Sequence, residues 1–351
     1  MWWLEHLRHP GVLAALGAAL LFGAGAPFAK RLLHTIDPWL LAGLLYLGSG
    51  LGLTLYRRLV RAGRVRLARS QILWFAGAIL AGGVVGPVLL MFGLTGMQAS
   101  GASLLLTAEG AFTALLAWFV FRENFDRRIA LGMASIVAGA AILAWPGDLR
   151  FAGAWPTLAV LGACLAWGID NNLTRKFALT DATWIASIKG LTAGTVNLAL
   201  AIALGSKLPR LPDVASAMML GLFAYGVSLA LFVVALRHLG TARTGAYFSV
   251  APFLGAVLAL LLGDAVTPQL VVAGALMAFG VWLHLTERHE HQHDHEALEH
   301  EHEHVHGDDP HDEHAHDPPV APGTRHTHAH RHEPLRHAHA HFPDSHHRHR
   351  H

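Results

Sequence analysis

Ten apolar runs, each long enough to cross a lipid bilayer as a helix, constrain this chain more than any other feature. A spanning helix needs roughly 20 apolar residues, because the hydrocarbon core of a bilayer is about 30 Å thick. The runs, here named spans 1 to 10, cover residues 11–29, 38–56, 71–93, 99–121, 128–146, 152–173, 183–205, 213–236, 242–262 and 267–286. They predict an all-α polytopic membrane protein with ten transmembrane helices.

Glycine patterns inside these runs argue against a soluble helical core. Residues 47–52 read Leu-Gly-Ser-Gly-Leu-Gly, and Gly190 and Gly194 are one helical turn apart. Glycine weakens a helix in water, whereas in a membrane it lets two helix backbones approach closely. The shortest connections fall at 93–99 and 236–242, where the span boundaries are least marked.

Lysine and arginine in the loops indicate the orientation. The side that bears the N-terminus carries 14 of them, six within 57–69, and the opposite side carries 5. Basic residues concentrate in cytoplasmic loops. Both termini are therefore expected in the cytoplasm.

The chain also contains an internal repeat. Residues 22–31 align with 167–176 at an offset of 145, and residues 99–116 align with 242–259 at an offset of 143. The predicted domains are 1–146 and 147–286, with five spans in each. Five is odd, so the two copies must have opposite orientations. Inverted repeats are characteristic of secondary transporters, which bind substrate near the membrane midplane between the halves.

Two matching segments carry a resemblance to a known family. The run ASGASLLLTAEGAFTALLAWFVFRE and its partner TARTGAYFSVAPFLGAVLALLLGD resemble the EamA-type drug/metabolite transporter superfamily, over about residues 10–286. WGIDNNLTRK and the final PDSHHRHRH resemble a bacterial branch whose members end in histidine-rich tails. The resemblance implies a multi-pass transporter of the bacterial inner (plasma) membrane. It says little about the substrate, because the family exports amino acids, metabolites and drugs.

Glu109 is the first candidate functional residue. It lies ten residues from Ala99 and twelve from Phe121, close to the midplane of span 4. Ionisable groups inside spans are costly and usually functional. The family usually has proline here, as the second half does at Pro252, so no known substrate site can be transferred. Glu109 and Pro252 are predicted to form the substrate or proton-coupling site, with packing as the alternative for Glu109.

Asp170 and Lys189 form a second candidate. Each lies six residues inside the cytoplasmic end of its span, so the two side chains are at similar depth. Antiparallel neighbouring helices would pair them, with Asn171 and Asn172 adding hydrogen-bonding groups. A cytoplasmic gate that pairs when closed and a static structural pair are equally compatible with the sequence.

The last 65 residues, 287–351, form a distinct tail with 22 of the 27 histidines. Imidazole is a common ligand of divalent metals, so the His-x-His steps predict binding of Zn, Ni, Co or Cu. The candidate ligands are His291, His293, His295, His300, His302, His304, His306, His326, His328, His330, His332, His337, His339 and His341. The tail is polar, with 14 acidic and 6 arginine residues, and is expected to be disordered without metal.

Three functions remain open on these features. The first is a secondary exporter of a small metabolite with a metal-binding or metal-sensing tail. The alternatives are a divalent metal (Ni, Co or Zn) efflux transporter and a membrane-anchored metal store or metallochaperone. No nucleophile–base pair, P-loop or dinucleotide fingerprint is present, which argues against an enzyme and against ATP-driven transport. The expected partners are the lipid bilayer, a small-molecule substrate and divalent metals, but not nucleic acid. No cofactor is required, and a homodimer is left open.

Overall fold

The structure is a computed structural model. It describes residues 10–63, 65, 67–121, 127–145, 154–174, 180–285, 290–295, 298–305, 325–332 and 335–340. The chain divides into two compact units, Met1–Glu287 and Arg288–His351. The first unit is helical and the second contains short strands.

Thirteen α-helices occur in the described residues of the first unit. They are α1 (Pro10–Leu32), α2 (Pro38–Leu59), α3 (Ile72–Ala78), α4 (Gly86–Gly96), α5 (Ala99–Leu105), α6 (Ala108–Phe121), α7 (Arg127–Ala144), α8 (Trp155–Thr174), α9 (Ala182–Ala203), α10 (Leu211–Gly221), α11 (Ser228–Phe248), α12 (Ala251–Leu261) and α13 (Pro268–Leu285). A 3₁₀ turn at Arg69–Gln71 precedes α3, and π-helical segments at Ile79–Val85 and Leu222–Val227 join α3 to α4 and α10 to α11.

Each predicted span coincides with helical structure, and one predicted boundary is wrong. The short loop expected at 236–242 is instead continuous helix within α11. This stretch contains Gly240 but no proline, and one glycine weakens a helix without ending it. The equivalent point in the first half does break, because Met97 is extended with φ −140° and ψ 166°.

The outer surface of the helical unit is apolar. Among the described residues, Leu73 is 83% exposed and Leu261 is 79% exposed. Trp145 and Trp155 are also exposed at helix ends, where an indole ring prefers the membrane interface. Six described helical stretches are long and apolar enough to cross a membrane, and three shorter helices are also apolar. The unit is therefore a polytopic membrane protein.

Two irregularities occur at the same offset in both halves. Span 4 breaks before Ala108 and span 9 breaks before Ala251, which is 143 residues later. The π-helical segments begin at Ile79 and Leu222, again 143 residues apart. Discontinuous helices at corresponding positions of two halves indicate the binding region of a transporter. π-helical turns are likewise frequent at functional sites.

Glycine contacts hold α2 against α9. A Cβ on Gly190 would lie 2.8 Å from the Cα of Gly50 and 2.9 Å from the carbonyl oxygen of Tyr46. A Cβ on Gly194 would lie 2.6 Å from the backbone nitrogen of Leu47. These distances are below ordinary van der Waals contact, so the two backbones touch directly, as the glycine pattern predicts.

A glycine contact of the same kind joins spans 1 and 9. The equivalent contact between spans 6 and 4 involves a glycine and a phenylalanine. A Cβ on Gly255 would lie 2.6 Å from the carbonyl oxygen of Gly23. The repeat-equivalent contact is between Gly168 of span 6 and Phe112 of span 4, where a Cβ on Gly168 would lie 3.1 Å from the Cβ of Phe112. One contact is therefore glycine against glycine, and the other is glycine against phenylalanine.

The second unit contains two antiparallel strand pairs. Strands β1 (Glu290–His295) and β4 (Leu335–Ala340) form one, and β2 (Leu298–Val305) and β3 (Arg325–His332) form the other. The His-x-His alternation of these four segments has the period of two that a strand requires. The expectation that the tail is disordered without metal stays a prediction.

We expect Gly190→Ala to destabilise the helical unit by about 1–3 kcal/mol, because the added methyl group has no space against α2. Gly245→Ala is the matched control, since Gly245 is also helical and nothing lies within 4 Å of its Cβ position. Thermal unfolding of the detergent-solubilised protein measures both. Equal effects of the two substitutions would show that the α2–α9 contact is not close packed.

Candidate functional site

The break in span 4 places Glu109 in the first turn of α6. Leu106 and Thr107 leave the helix between α5 and α6, and the hydroxyl group of Thr107 donates to the carbonyl oxygen of Leu104 at 2.8 Å. The thiol of Cys164 donates to the carbonyl oxygen of Leu105 at 3.5 Å. The freed carbonyl groups are thus satisfied locally. The N-terminal end of a helix favours a negative charge, so the glutamate is well placed there.

Glu109 is hydrogen-bonded to span 6. The amide nitrogen of Asn171 donates to its carboxylate at 2.9 Å and to the hydroxyl group of Thr113 at 3.2 Å. Glu109 is half-buried and Asn171 is exposed. Glu109 is also close enough to Asp170 and Lys189 to interact with both charges.

Asp170 and Lys189 form a buried ion pair between α8 and α9. The side chain of Asp170 is 8% exposed and that of Lys189 is 17% exposed. The hydroxyl group of Thr174 donates to the second carboxylate oxygen at 3.2 Å. Asp170 and Lys189, which the sequence places at similar depth in neighbouring spans, are thus in contact. Whether the pair opens as a gate remains a prediction.

The first π-helical segment lies directly against this ion pair. The Cα of Gly82 faces Asp170, and any Cβ there would overlap the carboxylate. The carbonyl oxygen of Gly82 accepts hydrogen bonds from the Tyr46 hydroxyl group at 2.7 Å and from the Trp167 indole nitrogen at 2.9 Å. Spans 2, 3 and 6 therefore meet at one glycine.

Two buried asparagines complete the polar cluster. Asn172 donates to the carbonyl oxygens of Thr113 at 3.1 Å and Gly168 at 2.8 Å, and Asn197 donates to that of Gly83 at 3.0 Å. The side-chain oxygen of each asparagine has no hydrogen-bond partner in the described part of the chain. Buried polar atoms are normally paired, so these two oxygens are available acceptors.

Pro252 occupies the corresponding break in span 9, in the first turn of α12. The neighbouring backbone is closely packed, because a Cβ on Gly23 of span 1 would overlap the carbonyl oxygen of Ala251. The cluster of Glu109, Asp170, Asn171, Asn172 and Lys189 is therefore built from spans 4, 6 and 7. Pro252 shares the position of Glu109 in the repeat without sharing its polar chemistry.

Tyr46, Gly82, Trp167 and Asn197 are site residues that the sequence patterns do not identify. The adjacent glycines Gly82 and Gly83 were a visible signal, since a glycine pair inside a span marks a close approach or an irregular turn. The tyrosine and tryptophan carry no such signal. Both residue types are common in spans for packing or interface reasons.

A second ion pair joins the last turn of α2 to Asp181, the residue just before α9. Arg57 donates to Asp181 at 2.6 Å and to the Thr183 hydroxyl group at 2.6 Å. Burial opposes ionisation of Asp181, but hydrogen bonds from Thr183 and Arg57 outweigh it and lower its pKa from 3.8 to about 2. The stabilisation is complete above pH 3.8 and disappears as the pH falls through about 2. Asp181 thus stays charged at neutral pH, and a pH response of transport in that region must come from other groups.

The predicted metal ligands fall in the second unit. His306 and His341 lie outside the described residues, and the other twelve lie in β1 to β4. The register places His291 opposite His339, and His293 opposite His337. It also pairs β2 with β3 through histidines, and these pairs are His300 with His330, His302 with His328 and His304 with His326. Within the described residues, no group of three metal-binding side chains is arranged around an ion site.

The buried ion pair can be tested by a double-mutant cycle. Asp170→Asn and Lys189→Gln should each cost about 3–5 kcal/mol of unfolding free energy, because each leaves one buried charge without its partner. The double variant should cost clearly less than the sum. Strictly additive losses would mean that the two side chains do not interact in the folded protein.

Comparison with known proteins agrees with this architecture. A solved structure known only as "Crystal structure of protein" has a TM-score of 0.59 at 18% identity, covering 79% of this chain and 96% of that one, so the fold is shared. An uncharacterized transporter from Methanothermobacter thermautotrophicus is 27% identical over 293 residues, covering 78% of this chain and 85% of the relative.

A probable terminal-alkyne amino-acid exporter from Streptantibioticus cattleyicolor is 29% identical over 202 residues, covering 56% of this chain and 67% of the relative. The profile of the EamA-like transporter family matches residues 9–145 and again residues 154–286. These two matches cover most of the chain, including the broken helices and the polar cluster described above. The protein is a member of the EamA-like transporter family, a transporter and not an enzyme.

Proposed function

We propose that this protein is a secondary exporter of a small organic metabolite that carries both a positive and a negative charge, such as an amino acid. The observation that supports this most directly is the polar cluster beside the break in span 4. It combines a half-buried carboxylate at Glu109 with the ion pair of Asp170 and Lys189. Two family relatives are named as a transporter and an amino-acid exporter, which favours the same substrate class.

The cluster suits a zwitterion because its charged groups can exchange partners. Lys189 can bind a substrate carboxylate, and Asp170 can bind a substrate ammonium group, once the ion pair separates. The available oxygens of Asn172 and Asn197 add acceptors for an ammonium group. The ion pair then serves as the gate in the empty transporter. In this proposal the cytoplasmic face, marked by the basic loops, is the loading side.

A divalent metal is a less suitable cargo for this site. A dication requires several oxygen or imidazole ligands at once. Asp170 is already paired with the cationic Lys189, which would repel a metal ion. Glu109 has an asparagine amide as its nearest partner. We therefore assign metal binding to the tail and not to the membrane unit.

The strand register suggests how the tail would bind metal. Residues directly opposite in an antiparallel pair have Cβ atoms about 4.5–5.5 Å apart, and residues two apart share a face. The register pairs three successive histidines of β2 with three of β3. An isolated two-stranded ladder is marginally stable in water, so the metal itself would stabilise the pairing. The tail would act as a sensor or buffer of Zn, Ni, Co or Cu.

Transport by Glu109→Gln tests the exporter proposal. If Glu109 carries a coupling proton, the variant keeps the hydrogen bond from Asn171 but cannot change its charge. It should still exchange substrate across liposome membranes, yet fail to concentrate it against a gradient, and its flux should lose pH dependence between about pH 5 and 8. Amino acids, related metabolites and divalent metals form the substrate panel.

Thr35→Ala is the control, since that hydroxyl group donates to the carbonyl oxygen of Leu32 at the end of its own helix. Wild-type accumulation and unchanged pH dependence in Glu109→Gln would leave Glu109 as a packing residue. Transport of metals alone would exclude the organic substrate.

The tail is tested with the full-length protein in lipid nanodiscs, titrated with Zn and Ni by calorimetry. Replacing His326, His328 and His330 by alanine should remove cross-strand pairs and lower both affinity and the number of ions bound. Replacing His311, His314 and His316 removes as many imidazoles outside the described strands. Equal losses in both variants would mean that only histidine number matters. Deleting residues 287–351 should abolish this binding and leave basal transport unchanged.

A further inference from the structure

A cavity of about 500 Å³, open to the surface, lies between the end of α2 and the start of α9. Its lining is cationic on one side and apolar on the other. Arg57, Arg58 and Arg61 provide the cationic side, and Trp184, Ile188 and Leu191 provide the apolar side. An occupant that matches both sides is an amphiphile with an anionic head.

The cationic side carries excess positive charge. Arg57 is paired with Asp181 at 2.6 Å and also donates to the carbonyl oxygen of Gly63 at 3.0 Å, so it is fixed in place. Arg58 and Arg61 have no carboxylate partner among the described residues. Three guanidinium groups against one carboxylate leave a local charge of +2.

Arg61 is also held in an unusual backbone conformation. Its φ is +50°, and no other non-glycine residue in the described part of the chain has a positive φ. Arginine rarely adopts this left-handed conformation, because its Cβ crowds the backbone. The hydrogen bond from Arg57 to Gly63 closes the loop around it. This conformation ends α2 as a left-handed cap, in which the backbone N–H of Ala62 donates to the carbonyl oxygen of Arg57 at 2.9 Å, and it fixes Arg61 beside the cavity.

The apolar side belongs to the membrane boundary. Ile188 and Leu191 lie on α9, which is long and apolar enough to span the bilayer. Trp184 stacks on Phe75 with ring centroids 5.7 Å apart, which fixes its ring. Tryptophan prefers the headgroup level of the bilayer. The cavity therefore runs from the headgroup level into the acyl-chain level.

We infer that this cavity binds an anionic phospholipid. Its phosphate lies against the guanidinium groups of Arg58 and Arg61, and an acyl chain extends along Ile188 and Leu191. Guanidinium groups are well suited to phosphate, and basic pockets between transmembrane helices bind anionic headgroups. A free phosphate ion would leave the apolar side without a partner.

The test uses the full-length protein in nanodiscs of phosphatidylcholine with or without phosphatidylglycerol. Native mass spectrometry should show phosphatidylglycerol retained on the wild type, and this lipid should raise its Tm. Arg58→Gln with Arg61→Gln should weaken retention by about 10- to 30-fold, as expected for two interfacial arginines. Arg69→Gln with Arg210→Gln removes two exposed arginines outside the cavity and should change nothing.

A second variant keeps the result interpretable if the double arginine substitution fails to fold. Ile188→Trp retains all three arginines but fills the apolar side, and it should also reduce lipid retention. Inorganic phosphate should neither displace phosphatidylglycerol nor raise the Tm. Displacement by phosphate would instead identify a free-anion site and overturn the lipid assignment. Equal retention in the cavity and control variants, or in Ile188→Trp and wild type, would overturn it as well.

Discussion

The buried ion pair of Asp170 and Lys189 is the contact on which the polar cluster depends. An unpaired charge at this depth would be costly, so each side chain fixes the position of the helix that carries its partner. The pair also requires glycine at position 82, because only a residue without a Cβ leaves space for the carboxylate. The π-helical turn of span 3 is in this way tied to spans 6 and 7. Glu109 reaches the same region through Asn171, the residue next to Asp170 on α8.

The π-helical turn and the helix break both leave backbone groups without their usual partners in the helix. A membrane interior offers no water to unpaired backbone groups, so an irregular helix must find partners within the protein. Gly82 finds them in Tyr46 and Trp167, and Gly83 finds one in Asn197. At the break in span 4, Thr107 and Cys164 do the same. In the first half, the irregular backbone therefore lies beside the polar side chains that pair with it.

The sequence predicts the helical elements well and the details of the site only in part. Hydrophobicity locates the spans, because transfer of each segment into lipid depends mainly on its composition and length. The rarity of charges inside spans identifies Glu109, Asp170 and Lys189 without a structure. The roles of Tyr46 and Gly82 depend on which way three helices face, and that is decided by packing between segments far apart in the chain. The strand pairs in the tail depend in the same way on a register between distant segments. The gate and metal-binding roles remain predictions.

The unequal glycine contacts of the two halves have a consequence for the transport cycle. In an inverted repeat, each half can adopt the conformation of the other, and this exchange would turn the molecule to face the opposite side. Gly23 and Gly255 bring two glycine backbones into contact in one half, whereas the equivalent contact in the other half places Gly168 against Phe112. The two halves are related by a two-fold axis, so this exchange would require Phe112 to take the place that Gly255 has against Gly23. The side chain at this one contact therefore distinguishes the two orientations of the transporter.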